Sequence, residues 1–218
     1  MIKFEHVGFA FKDGEVLHDV DFEIHDGEFV GIIGANGAGK TTLIRLLLGL
    51  LKPTAGKITS EERSISYVSQ TTSLSDSSFP CTVEEVVESG LAKIKPGLFQ
   101  IKERKQKAEQ VLKEFDLYDI RKKLVSEISG GQQQRVKIAK AVISSPSLIV
   151  LDEPDAGMDH ESHDKLIELL ENEHKQNGKG IVFISHHLHD LANADAIYQV
   201  RGGTVKLFEG EDEHHAAL

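Results

Sequence analysis

Residues 31–42 read GIIGANGAGKTT, a glycine-rich loop between an apolar run, EFVGII, and a run with helical spacing, KTTLIRLLLGLL. Gly34-x-x-x-x-Gly39-Lys40-Thr41, placed after a strand and ahead of a helix, has the pattern of a phosphate-binding loop. Glycine lets the backbone curl until its N–H groups converge on phosphate oxygens, and the positive end of the next helix adds to the attraction. The candidate binding residues are Gly34, Asn36, Gly37, Gly39, Lys40, Thr41 and Thr42. Lys40 can reach the β- and γ-phosphates, and the Thr41 hydroxyl suits a Mg²⁺ ligand. A plain glycine turn ahead of a core helix is the structural alternative, and the strand–loop–helix context weighs against it.

A loop of this kind needs parallel strands joined through helices, and the chain supplies them. VLHDVDFEI alternates like a strand, with Val16, Val20, Phe22 and Ile24 in register, and EFVGIIG follows. Leu43, Leu46, Leu47 and Leu50 share a helical face, and Pro53 is expected to close that helix. SISYVSQ is a further strand, residues 71–145 are mostly helical, and strands return in SLIVLDE and GIVFIS. Between these last two, HDKLIELLENEHKQNG forms a helix that stops at Gly178. One domain of 218 residues is expected, with 1–70 and 146–218 as a nucleotide-binding core and 71–145 as an inserted helical subdomain.

SLIVLDEP ends an apolar strand in two carboxylates. Asp152 at the strand end can hold Mg²⁺ through water, while Glu153 points elsewhere because strand side chains alternate. Glu153 is thereby placed to polarise an attacking water. A solvated turn would also explain the pair, were there no phosphate loop in the same chain. Further along, EISGGQQQR contains Ser129, Gly130, Gly131 and Gln132. Ser with Gln three residues on is a capping pattern, so a well-capped helix is one reading. The other is a second phosphate cradle, formed by Ser129 and the N–H groups of the glycines. One nucleotide on one chain does not need two cradles; two chains facing each other do.

Taken in order and spacing, the phosphate loop, ISGGQ, IVLDEP and ISHH resemble the nucleotide-binding subunit of an ABC transporter, over essentially the whole chain. The resemblance implies an α/β fold: a P-loop ATPase cassette with a mainly parallel RecA-like core, an N-terminal antiparallel β region and an inserted α-helical subdomain. It implies ATP hydrolysis with Mg²⁺, in a head-to-tail homodimer that encloses ATP between the loop of one copy and the SGGQ of the other. On that basis Gln70 after SYVS is a Mg²⁺-sensing glutamine. His186 in ISHH contacts the γ-phosphate, Asp159 couples the two sites across the dimer, and adenine stacks on Phe11. Phe11 stands where Tyr is common, Ile128 where Leu is common, and His187 where Asp often follows the switch histidine. The first two keep the stacking or apolar role; no function is assigned to His187. Stacking on Phe11 discriminates poorly between adenine and guanine, so ATP rests on the resemblance.

SFPCTVEEVVESG, residues 78–90, contains no group suited to nucleotide chemistry. Thr82 and Glu85 make a capping box, Cys81 and Val86 a hydrophobic staple, and Val83, Val86 and Val87 an apolar face that Gly90 ends. Glu84 and Glu88 lie off that face and are the expected exposed contacts. The wording resembles the subunits of zinc and manganese importers, as does DEPxxGxD with Gly157, although Cys81 fills a variable position and Asp155 replaces Thr or Phe. That resemblance implies a membrane permease docking near residues 70–90 and, indirectly, an extracytoplasmic metal-binding protein. An ATPase of another importer, or of a regulatory complex at the membrane that does not transport, fits the same motifs.

A net charge of −10 argues against nucleic acid as a partner. Residues 91–125 hold ten Lys or Arg against five Asp or Glu, a local +5 that reads either as a solvated face or as one turned toward a membrane or an acidic partner. The single cysteine excludes an internal disulfide framework, and MIKFEHVGF lacks the layout of a secretory signal. A cytoplasmic protein is expected, peripheral on the inner face of the membrane through its permease. The closing EGEDEHHAAL reads as a solvated tail rather than a metal sensor.

Overall fold

The computed structural model describes residues 1–61, 64–69, 80–92, 100–154 and 158–210. Two compact units form, Met1–Glu62 with Val182–Leu218, and Arg63–Ile181. The first contains β1 (Ile2–Phe11), β2 (Gly14–Ile24), β3 (Phe29–Ile33), α1 (Lys40–Leu47) and β4 (Ala55–Ser60). The second contains β5 (Ile65–Val68), α2 (Val83–Ser89), α3 (Gln100–Glu114), α4 (Gly130–Val142), β6 (Leu148–Asp152) and α5 (His160–Asn177). Within β7 (Gly180–Ile184) the chain returns to the first unit, which closes with β8 (Ala196–Arg201) and β9 (Thr204–Leu207).

In the first unit β2, β1 and β4 form an antiparallel sheet with β1 central. Ile2 pairs with Ile24 and Phe4 with Phe22, and the two phenyl rings lie 4.6 Å apart. β1 is the strand that the sequence hides: its alternation breaks after Phe4, where the register shifts and His6 takes a φ of 48°. β3 is buried along its whole length and runs parallel to β8, with Val30 opposite Ala196 and Ile33 opposite Gln199. Burial on both faces is why FVGII is an unbroken apolar run.

Helix α1 stops well short of Pro53. Gly49 adopts a φ of 68°, its N–H donates to Leu46 O, and Leu50 N–H donates to Arg45 O. These are the two bonds of a glycine-terminated helix end, which leaves Leu50 two-thirds exposed and outside the face formed by Leu43, Leu46 and Leu47.

In the second unit β5 and β6 are parallel, from Ile65 opposite Leu148 to Val68 opposite Leu151. Helix α2 begins with the expected capping box. The Thr82 hydroxyl accepts from Glu85 N–H at 3.3 Å and the Glu85 carboxylate accepts from Thr82 N–H at 2.8 Å, which holds the Glu85 carboxyl below its usual range. Gly90 ends α2 with ordinary right-handed torsions, φ −60°, so the glycine is not there to turn the chain. A Cβ at that position would lie 2.2 Å from Lys140 O and 2.5 Å from Ile143 Cγ2. Gly90 lets α2 approach α4. Gly90→Ala is expected to cost about 1–3 kcal/mol through overpacking, read as a lower midpoint in thermal melting. An unchanged midpoint would mean that α2 shifts freely.

The basic stretch is a solvated face over its described part. Along α3, Lys102 and Lys105 are exposed, Lys113 pairs with Glu109 at 3.1 Å, and Lys107 Nζ donates to Ser145 Oγ. Among the described residues no helix is long and apolar enough to cross a membrane.

Candidate nucleotide-binding site

The candidate residues fall in both units. In the first, β3 ends in the loop that α1 follows. Gly34 has φ 155°, and a Cβ there would lie 2.5 Å from Val200 O; Gly39, the N-cap of α1, has φ 108°. Neither position accepts a side chain without strain, so the loop is held in a shape that only glycine permits. Asn36 and Gly37 are exposed at its tip, Thr41 is exposed in the first turn of α1, and Thr42 is half-buried behind it. Lys40 is almost fully buried, and its Nζ donates to Gly34 O at 2.8 Å and Ala35 O at 3.3 Å. The ammonium is thus drawn back across the loop that it completes. Backbone N–H groups, a lysine and a helix start form a donor set suited to a polyphosphate.

His186 belongs to the same unit and is placed by contacts that the sequence does not advertise. Ser185, just past β7, donates its N–H to Ile32 O of β3 at 3.3 Å. Its hydroxyl donates to Asp190 Oδ2 at 2.5 Å and accepts from His187 N–H at 2.9 Å. Ser185 and Asp190 are both buried, and together they pin the turn Leu188–Leu191. Leu191 packs so tightly against β3 that a Cβ at Gly31 would lie 2.7 Å from its Cδ1. His186 and His187 are left exposed, two and three residues past the end of β7. The signal for Ser185 and Asp190 is a hydroxyl and a carboxylate flanking a histidine-rich turn, legible only once the turn is known. Phe11, at the end of β1, is 47% exposed and meets Phe9 edge-on at 4.8 Å, an open aromatic face on which a base can stack.

In the second unit Asp152 ends β6, almost fully buried, and accepts from the Tyr67 hydroxyl at 3.2 Å. Glu153 is half-exposed, and its φ is 47°. Strand alternation is therefore not what separates the two carboxylates: the strand has ended, and a left-handed backbone turns Glu153 away. A non-glycine residue held there stores about 1–2 kcal/mol, the kind of strain that gathers at functional positions.

Ser129 caps α4 in the expected capping box, accepting from Gln132 N–H at 3.3 Å, while the Gln132 amide oxygen accepts from Ser129 N–H at 3.0 Å. Ser129 and Gly130 are exposed at the helix start. Gly131 is buried, and a Cβ on it would lie 2.7 Å from Ser162 Oγ. The second glycine is thus fixed by packing against α5. Ser162 in turn donates from N–H and hydroxyl to Asp159, the N-cap of α5, at 2.9 and 3.1 Å, and these bonds keep the Asp159 carboxyl below its usual range. The starts of α4 and α5 adjoin through Gly131 and Ser162, which brings Ser129, Gly130 and Gln132 to the same end of this unit as Asp159. Gln70 and the Asp155–Gly157 stretch of DAGMD lie outside the described residues.

The profile of the ABC transporter family matches residues 17–156, from β2 to just past Glu153. The chain is 37% identical over 199 residues to the zinc uptake system ATP-binding protein ZurA of Listeria monocytogenes, across 86% of this chain and 77% of that protein. It is 33% identical over 199 residues to the high-affinity zinc uptake system ATP-binding protein ZnuC of Bacillus subtilis, across 88% and 86% of the two chains. Among solved structures, the dimeric post-hydrolysis state of the ATP-binding cassette MJ0796, bound to ADP and phosphate, superposes with a TM-score of 0.83. Its identity to this chain is 29%, over 94% of this chain and 97% of that one. With this loop, these carboxylates and these two helix starts in a matching fold, the chain belongs to the ABC transporter family and is an ATP-hydrolysing cassette of it.

Proposed function

We propose that this chain, acting as one cassette over residues 1–218, is the ATPase subunit of a zinc importer. What supports zinc is the likeness to two proteins named for zinc uptake over more than four-fifths of the chain, together with the importer-like SFPCTVEEVVESG. Two copies pair head to tail around ATP, Phe11 stacking on the base and the loop N–H groups and Lys40 orienting the phosphates. Ser129 and the N–H groups of Gly130 and Gly131 from the facing copy close over the γ-phosphate, and His186 contacts it. Thr41, Asp152 and Gln70 are the residues that would hold Mg²⁺, which when bound offsets charge on the β- and γ-phosphates. In hydrolysis a water oxygen bonds to the γ-phosphorus, the bond to the β–γ bridging oxygen breaks, and Glu153 accepts the water's proton.

A membrane subunit docks near residues 70–90 and holds the cassette at the inner face of the membrane. A groove of 520 Å³ supports that placement: β5, Ser69, the end of α2 and one face of α4 line it. Tyr67 is part of its wall and also bonds Asp152, so an occupant would press on the strand that touches the candidate Mg²⁺ site. Cells lacking this chain are expected to stop growing under metal chelation and to recover with added zinc. Recovery with manganese alone would change the ion, and growth unaffected by chelation would remove the import reading altogether.

A further inference from the structure

The groove beside α2 has a charge pattern of its own. Lys137, Lys140 and Ala141 line it from one face of α4, and Ser144 lines it just past the end of that helix. β5 and Ser69 form the other wall, and Ser89, Gly90 and Ala92 close one end. No described lining residue is acidic, although the chain as a whole carries −10. Lys140 is exposed and its charge is hydrated, but Lys137 is half-buried and makes no ion pair or hydrogen bond among the described residues. Burial lowers its pKa, so desolvation of the ammonium is uncompensated. By contrast, half-buried Glu84 of this unit is paired with Lys122, and buried Arg135 donates to Phe115 O.

A lysine half out of water, with no counter-charge among the described residues, is a cost that a folded chain has no reason to keep for packing alone. Lys137 lines the groove, whereas its neighbours Val136, Ile138 and Ala139 are the ones fully buried in the core. We infer that Lys137 reads a carboxylate on the segment of the membrane subunit that docks in this groove. The inference rests on the docking proposed above and adds what the groove selects: an apolar helical segment with one Asp or Glu set to meet the Nζ. Seating that segment would remove the remaining water from Lys137 and supply the missing charge in one step. Because a partly buried ion pair penalises mismatched partners more than it rewards the right one, Lys137 acts chiefly on specificity. A cassette with a different groove charge would reject the same membrane subunit.

The full chain co-expressed with its membrane subunit provides the test, with affinity between the purified components as the readout. Lys137→Glu is expected to weaken assembly on the order of 100-fold, since two like charges would meet in the groove. Lys137→Met, which keeps the stem and fills the same volume, should weaken it on the order of 10-fold. Nucleotide binding by the isolated subunit should stay unchanged in both, which separates a docking defect from misfolding. Reversing the acidic residues of the membrane subunit's cytoplasmic segments to Lys, one at a time, should yield one variant that assembles with Lys137→Glu and poorly with the native chain. Ala141→Trp, which fills the groove, tells apart the two ways of failing. If Ala141→Trp blocks assembly while Lys137→Glu does not, the groove is the docking site and Lys137 is not its reader. If neither blocks assembly, the docking proposal itself fails. If Lys137→Glu blocks assembly and no reversal rescues it, the carboxylate partner is excluded.

Discussion

Glu153→Gln is expected to bind ATP as the native chain does and to hydrolyse it about 10²–10⁴-fold more slowly. The amide keeps the size and shape of the side chain but cannot take a proton from water. The left-handed backbone at Glu153, φ 47°, tolerates Gln no worse than Glu, so the fold should be indifferent to the change. Asp152 makes a contrast within the same turn: it is buried against Tyr67 and faces the interior, which suits a metal-holding role and not the activation of free water. With hydrolysis stopped, the ATP-bound dimer should persist, and size-exclusion chromatography with ATP should show a dimer that the native chain forms only transiently. A variant that stays monomeric with ATP, or turns over at the native rate, would show that Glu153 is not the base.

Features set by neighbours along the chain are legible in the amino-acid sequence. The phosphate loop is local: its glycines, Lys40 and the helix that follows lie within a dozen residues, and the fold gives Gly34 and Gly39 the torsions that only glycine accepts. The capping boxes at Thr82 and Ser129 are equally local, and both form. Gly178 ends α5 with φ 63°, as its place after the apolar pattern suggests.

What the sequence leaves hidden depends on distant contacts. Gly90 and Gly131 look like turn or phosphate glycines, yet each is fixed by a neighbouring helix that would collide with a Cβ. Ser185 and Asp190 support His186 through a buried hydrogen bond, and nothing in ISHHLHD says that its serine turns inward to meet its aspartate. Glu84 and Glu88 illustrate the same limit. Spacing places them off the valine face of α2, and so in water. In the structure both are half-buried in a cleft with α3, lined by Lys105, Tyr118, Arg121 and Lys122, and Glu84 is ion-paired with Lys122. A helix has more than two sides, and α3 covers the one that the pattern leaves to solvent. Reversing those two glutamates would disturb the helical arm itself, which makes Lys137 the cleaner probe of docking.

Mixing Lys40→Ala with Ser129→Arg should restore ATPase activity that neither variant has alone. Lys40→Ala removes a charge-assisted contact to phosphate and should weaken nucleotide binding about 10–100-fold. The loop keeps its shape, because Gly34 and Gly39 fix it and the lost bonds to Gly34 O and Ala35 O are returned to water. Ser129→Arg leaves the loop of its own chain untouched, so the monomer should bind ATP normally. It places a long cation at the exposed start of α4, where the facing copy's ATP would have to pack, and it removes the hydroxyl that accepts from Gln132 N–H. Loss of that cap costs about 1 kcal/mol, so circular dichroism on the variant checks that α4 remains. In a mixed dimer, one site combines Lys40 from the Ser129→Arg chain with Ser129 from the Lys40→Ala chain and is intact; the other site carries both lesions. At equal concentrations random pairing makes half of the dimers mixed, so turnover should return to about a quarter of the native rate. A mixture as inactive as its components would mean that Ser129 serves the nucleotide of its own chain or only caps α4, and the head-to-tail pairing would have to be abandoned.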